Sequence, residues 1–175
     1  MKISVYIATS LDGFIARMNG DIEWLTSAGI PGDTEDYGYY SFTESIDAIV
    51  MGRNTLEKVL SFPEWPYSKK VFILSNTLKS LPETAKDKAE LFSGDLKTLK
   101  EKLELNSFKR IYIDGGKTIQ SFLREGLVTD LTITRIPVLI GSGLPLFSSL
   151  SKDIKLKHIE TKSYPSGFVQ SKYEL

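Results

Sequence analysis

Short apolar runs alternate with helix-like segments four times in this chain, and the chain then closes in consecutive strand-like runs. Residues 3–8, 46–51, 70–74 and 111–114 are rich in Val and Ile and read as buried strands. Between them, residues 36–45 carry Tyr37, Tyr40 and Phe42 at near-helical spacing, and 56–60 form a second helical segment. Residues 95–105 set Leu96, Leu99 and Leu103 on one face, and 118–123 do the same with Ile119, Phe122 and Leu123. Leu91-Phe92 reads as a short extra strand. The last third holds a β-rich run over 131–136, then segments 154–163 and 168–175 flanking a Pro165-Ser166-Gly167 turn. Strand–helix alternation implies an α/β fold with helices on both faces of a mostly parallel central sheet. The closing hairpin implies antiparallel strands at the C-terminal edge.

A chain of 175 residues without repeats or linkers is expected to form one domain over residues 1–175. Lys plus Arg balance Asp plus Glu at 22 each, so nothing suggests a nucleic-acid or membrane partner held by bulk charge. The absence of cysteine excludes disulfides, thiolate catalysis and cysteine zinc sites. The single histidine, His158, lies in a charged, alternating segment and reads as a surface strand residue, so no metal site is expected. The N-terminal apolar run is too short for a signal peptide, and no apolar segment approaches the roughly 20 residues of a membrane span. The expected location is the cytoplasm.

In a parallel sheet, ligands bind beyond the carboxyl ends of the strands. The loops after residues 8, 51, 74 and 114 all lie at such ends. Residues 111–123, IYIDGGKTIQSFL, read as strand, tight glycine turn and helix, an arrangement that aims free N–H groups at a phosphate. An ordinary strand-to-helix turn would also favour Gly115 and Gly116. Gly52-Arg53-Asn54-Thr55 forms a second such junction, with Asn54 or Thr55 as N-cap. Arg53 at a helix start opposes the dipole; a bound anion would remove that conflict, and a solvated Arg53 that tolerates the dipole is the other reading. Ser75 and Asn76 end the third strand and fit either a ligand phosphate or a simple turn. Residues 12–24 are punctuated by Asp12-Gly13 and Asn19-Gly20, and read as either a lid or a plain hairpin.

Four motifs together carry a resemblance. Val50-Met51-Gly52-Arg53-Asn54-Thr55, Ile73-Leu74-Ser75-Asn76 and Ile113-Asp114-Gly115-Gly116 resemble the dihydrofolate reductase superfamily in order and spacing. Ser10-Leu11-Asp12-Gly13-Phe14-Ile15-Ala16, the Asp114-Gly115-Gly116 triplet and residues 137–147, PVLIGSGLPLF, are closer to the RibD C-terminal domain of riboflavin-biosynthesis reductases. The resemblance implies a dihydrofolate reductase-like three-layer α/β/α fold, NADPH as hydride donor and a pyrimidine or pterin-type heteroaromatic substrate. It also implies an activity like that of 5-amino-6-(5-phosphoribosylamino)uracil reductase and a homodimer built through the C-terminal strands. Gly52, Arg53, Asn54 and Thr55 would meet the pyrophosphate and 2′-phosphate, and Ser75 and Asn76 would flank the adenosine phosphate. Gly115, Gly116, Lys117 and Thr118 would cradle the pyrophosphate, the Ala8 backbone would hold the nicotinamide amide, and residues 12–24 would close over the ring.

Asp36 is the candidate catalytic acid. It precedes Gly52 by the spacing at which dihydrofolate reductases carry their substrate carboxylate. It is equally the kind of residue the dipole favours in a first helical turn, and Asp33 and Glu35 stand beside it. The riboflavin reductases that the chain resembles usually carry a His- or Arg-rich segment before the second strand, for a phosphoribosyl substrate; here that segment holds Tyr37, Tyr39, Tyr40 and Phe42 and no basic residue, a departure that counts against a ribose-phosphate substrate. A non-catalytic NADPH-binding or sensing protein and a divergent dihydrofolate reductase are the competing readings.

Overall fold

The computed structural model describes residues 1–32 and 34–175; Asp33, one of the three neighbouring acids, lies outside the described residues. In chain order the elements are β1 (Lys2–Ser10), β2 (Phe14–Ala16), α1 (Glu23–Thr26), α2 (Tyr39–Glu44), β3 (Ala48–Gly52) and α3 (Arg53–Val59). They continue with β4 (Lys70–Leu74), a 3-10 turn (Glu83–Ala85), β5 (Ala89–Phe92), α4 (Leu96–Leu105), β6 (Arg110–Asp114) and α5 (Gly116–Arg124). The chain closes with β7 (Asp130–Ile136), β8 (Leu144–Pro145), β9 (Lys157–Ser163) and β10 (Val169–Glu174).

Eight strands form the main sheet in the order β5-β4-β3-β6-β1-β7-β10-β9. The first six in that order are parallel, whereas β10 runs antiparallel to β7 and β9 antiparallel to β10. β1 is central, with Val5 opposite Ile113 of β6 on one side and Leu131 of β7 on the other. Strand residues alternate between faces. Ile3, Val5, Val50, Phe72, Ile111 and Ile113 therefore pack against Leu99 and Leu103 of α4 and Ile119 and Phe122 of α5. Ile49, Met51, Val71, Ile73 and Tyr112 pack on the other face against Phe42 of α2 and Leu56 and Val59 of α3. The result is a three-layer α/β/α fold with a mostly parallel sheet and an antiparallel C-terminal edge.

Helix boundaries depart from the sequence expectation for local reasons. The helix expected from residue 36 starts only at Tyr39, because Tyr37 (φ 56°) and Gly38 (φ 86°) are both left-handed. The helix expected from residue 56 starts at Arg53, and its N-cap is Gly52 rather than Asn54 or Thr55. α5 begins at Gly116, two residues before the expected start. By contrast Asp95, at the start of α4, caps it by accepting from the Thr98 N–H at 2.8 Å. No helix among the described residues is long and apolar enough to cross a membrane.

Candidate cofactor and substrate site

Because the strands from β5 to β7 in the sheet order are parallel, the loops after Ser10, Gly52, Leu74, Asp114 and Ile136 all open at one edge. The chain builds outward from β3 to β5 and then returns to insert β6 between β3 and β1, which leaves a crevice at the ends of these strands.

Two helices start there side by side. α3 follows Gly52 and α5 follows Gly115, and neither start carries a side-chain cap. Their first N–H groups therefore point out of the helices without a capping oxygen from the chain. The two junctions are in contact. A Cβ on Gly52 would come to 3.0 Å from Thr118 Oγ1, and one on Gly115 would overlap Thr55 Oγ1. A Cβ on Gly116 would stand 2.7 Å from Ile15 Cδ1. Glycine is thus required at Gly115, by the approach of Thr55 and by its φ of 90°, whereas at Gly52 and Gly116 the neighbouring side chains would have to give way. Paired helix N-termini over a glycine floor, with Arg53 and exposed Lys117 beside them, suit an anion such as a pyrophosphate. Arg53 is exposed and its Nε donates to Glu57 Oε1 at 2.7 Å, so this helical pair already offsets its unfavourable position at the helix start.

Ser75 and Asn76 both act on local backbone. Ser75 Oγ accepts from the N–H of Thr77 (3.3 Å) and Leu78 (3.2 Å). Asn76 Oδ1 accepts from Ser93 Oγ and the Gly94 N–H, tying the loop after β4 to that after β5. Both residues stay at the carboxyl edge of the sheet, on the far side of β3 from Gly115.

On the other side of the crevice lies a cavity of about 690 Å³ bordered by β1, β7 and residues of the segments 25–32 and 35–39. Ala8, Thr134, Ile136 and Phe168 line its inner side, and Ile30, Glu35, Asp36, Tyr37 and Tyr39 its rim. Trp24, buried behind it against Ile136 and Phe168, has an indole N–H with no acceptor among the described residues. Asp36 is exposed at the rim. Its Oδ1 accepts from the Gly38 N–H and its Oδ2 from the Tyr40 N–H, both at 2.8 Å. Those N–H bonds hold its carboxyl below the usual carboxylate range, so it is ionised at neutral pH.

Sequence reasoning gave no role to Asp114 beyond its motif. It ends β6, half-buried, and its Oδ2 accepts from the Tyr67 hydroxyl at 3.1 Å. Burial pushes its pKa up, against the pull of the hydrogen bonds it accepts. Burial, reinforced by the Asp114 charge, raises Tyr39 to about 12. Tyr39 borders the cavity and so connects it electrostatically to Asp114. Only a three-dimensional neighbourhood reveals this pair, since residues 67 and 114 are far apart in sequence.

The segment expected as a lid is anchored in its first half. β2 pairs with β8, Asp12 accepts from the N–H groups of Ile140 (3.3 Å) and Gly141 (2.8 Å), and the Leu146 N–H donates to Gly13 O. The Gly141-Ser142-Gly143 turn thus packs against β2, and a Cβ on Gly143 would overlap Ala16 O. Among the described residues no group of three or more acidic or histidine side chains is placed to hold a metal ion.

The family model described as the RibD C-terminal domain matches residues 1–170. The uncharacterized protein YwjB of Bacillus subtilis is 34% identical over 168 residues, covering 93% of this chain and 92% of its own length. A putative riboflavin biosynthesis protein from Shewanella sp. PV-4 superposes with a TM-score of 0.95 at 42% identity, over 99% of this chain and 98% of the other. A diaminohydroxyphosphoribosylaminopyrimidine deaminase/5-amino-6-(5-phosphoribosylamino)uracil reductase from Thermotoga maritima shares the fold with a TM-score of 0.75 at 15% identity. That match takes in 99% of this chain and 56% of the longer protein.

Proposed function

Because this chain belongs to the RibD C-terminal domain family, we propose that it is an NADPH-dependent reductase transferring hydride to a pyrimidine or pterin-type ring. The observation that carries this reading is the contact between the two uncapped helix starts at Gly52 and Gly115. Gly52, Arg53, Asn54, Thr55, Gly115, Gly116, Lys117 and Thr118 would hold the pyrophosphate and the 2′-phosphate. Ser75 and Asn76 would border the adenosine end, and the Ala8 backbone, beside the large cavity, would meet the nicotinamide. When bound, NADPH supplies the hydride; the protein binds, orients and excludes water.

The chain's own contribution to the chemistry lies with its acids. Asp36, ionised at the rim, keeps a second lone pair on each oxygen for amino and ring N–H groups of a substrate. Asp114, at the end of β6 and bonded to the Tyr67 hydroxyl, is the second acid of the crevice, and burial shifts it toward its protonated form. A cytoplasmic homodimer joined through the C-terminal strands belongs to the same reading, since β9 is exposed along its whole length at the sheet edge.

The test is a titration of NADPH followed through its fluorescence, then NADPH oxidation with a panel of aminopyrimidines and pterins. Saturable binding with oxidation by at least one ring supports the reductase. Binding without oxidation favours a sensing protein, and no saturation at millimolar NADPH overturns the assignment.

A further inference from the structure

We infer that the large cavity takes a neutral or cationic amino-substituted heteroaromatic ring that carries no phosphate, an inference that rests on the cavity being the substrate side of the proposed reductase. Among the described residues that line it, none is Lys, Arg or His, and two are carboxylates, Glu35 and Asp36. A phosphate dianion needs cations or free N–H donors, and a carboxylate beside it is repulsive.

The N–H donors at the start of α2 are taken by these acids. Asp36 receives the Gly38 and Tyr40 N–H groups, its carbonyl receives that of Tyr39, and Glu35 Oε1 receives that of Tyr37 at 2.9 Å. The start of α2 therefore presents fixed negative charge instead of an anion hole.

Basic groups near the cavity face elsewhere. Arg135 alternates to the opposite face of β7 from Thr134 and Ile136. Arg110 is held by Asp130 Oδ1 (3.1 Å), Ser4 Oγ (2.9 Å) and Ser45 Oγ (2.8 Å). Arg110, Lys162 and Lys172 line, with Glu160, a second cavity of about 250 Å³, on the far side of Tyr6 and Tyr37. That partition is closed by hydrogen bonds. The Tyr6 hydroxyl donates to Tyr37 O, and the Gln170 Nε2 amide, with two hydrogens to share, lies 3.0 Å from each of Tyr6 Oη, Tyr37 O and Thr134 Oγ1. A substrate phosphate in the large cavity thus meets two carboxylates on its own side and a bonded wall before any lysine. Asp36 suits the opposite chemistry, accepting from exocyclic amino and ring N–H groups.

The experiment compares three matched ligands on NADPH-saturated protein by calorimetry and by NADPH oxidation: a 5,6-diaminouracil, its N-riboside and the riboside 5′-monophosphate. NADPH affinity is measured first and separately, so its absence sinks the reductase reading and not this one alone. The expected result is that base or riboside binds at least tenfold tighter than the monophosphate. A preference in Glu35→Gln/Asp36→Asn that shrinks toward equality would tie it to these carboxylates. Equal or tighter binding of the monophosphate, or no binding by any of the three with NADPH bound, overturns the inference.

Discussion

Thr55 Oγ1 occupies the space that a Cβ on Gly115 would need, so the start of α3 is locked against the start of α5. Gly115→Ala meets two penalties: this overlap, and a backbone at φ 90° that costs an L residue of order 1–3 kcal/mol. Gly126→Ala is the control, with a φ of 65° and nothing within 4 Å of the added methyl. Urea denaturation should show Gly115→Ala losing about 3 kcal/mol or more and Gly126→Ala about 1 kcal/mol. Adding Thr55→Ala should return part of the first loss and none of the second. Equal costs at the two glycines would mean that the junction is not tight.

Arg53 offers a cleaner probe of cofactor choice, because its fold contacts are weak. Its partner Glu57 is on the same helix, and both are exposed, so the pair contributes a few tenths of a kcal/mol. Arg53→Ala should leave the melting temperature nearly unchanged. Its NADPH dissociation constant should rise about tenfold or more while that for NADH barely moves, since only NADPH carries the 2′-phosphate. A parallel loss for both cofactors would remove Arg53 from phosphate recognition.

The fold, and the strand-end junctions on which the candidate site is built, were legible in the sequence because glycine and strand ends leave local marks. The order of strands and helices is local information, and the motifs at Gly52 and Gly115 follow directly from it. What the sequence could not supply was pairing across distance. Tyr67 with Asp114, Asp12 with the Gly141 turn, and the Gln170 wall between Tyr6 and Tyr37 join residues dozens to more than a hundred positions apart. Asp36 shows the same limit locally: its position suggested a helical first turn, but left-handed Tyr37 and Gly38 set it before the helix.

Asp36→Asn separates ring recognition from cofactor binding. Asparagine keeps one carbonyl acceptor for the Gly38 or Tyr40 N–H, so the turn before α2 should persist and NADPH affinity should not change. Its amide cannot accept from two directions as the carboxylate does, and it carries no charge. Turnover on a competent ring should fall by about one to two orders of magnitude, the scale of a lost charge-assisted hydrogen bond. Steady-state kinetics beside NADPH titration make the check, and unchanged turnover would take Asp36 out of the mechanism.

Asp114 makes a prediction about pH whose sign is opposite to that of most carboxylates. Burial raises its folded pKa above the ordinary 3.8, with the hydrogen bond from Tyr67 opposing but not cancelling the effect. Between 3.8 and that raised value the folded protein binds more protons than the unfolded chain, so this group's contribution to stability falls as pH rises. The contribution is complete below 3.8 and lost above the folded value. Asp114→Asn removes the titration while keeping an acceptor for the Tyr67 hydroxyl. Thermal melts of both proteins from about pH 3.5 to 7.5 should therefore show the variant gaining on the parent as pH increases. A parent that gains on the variant over that window would show Asp114 held ionised, with the Tyr67 bond outweighing burial. If Asp114 also serves the reaction, the variant should turn over more slowly at neutral pH even where its melting temperature has gained most on the parent, an outcome that a merely structural acid would not produce.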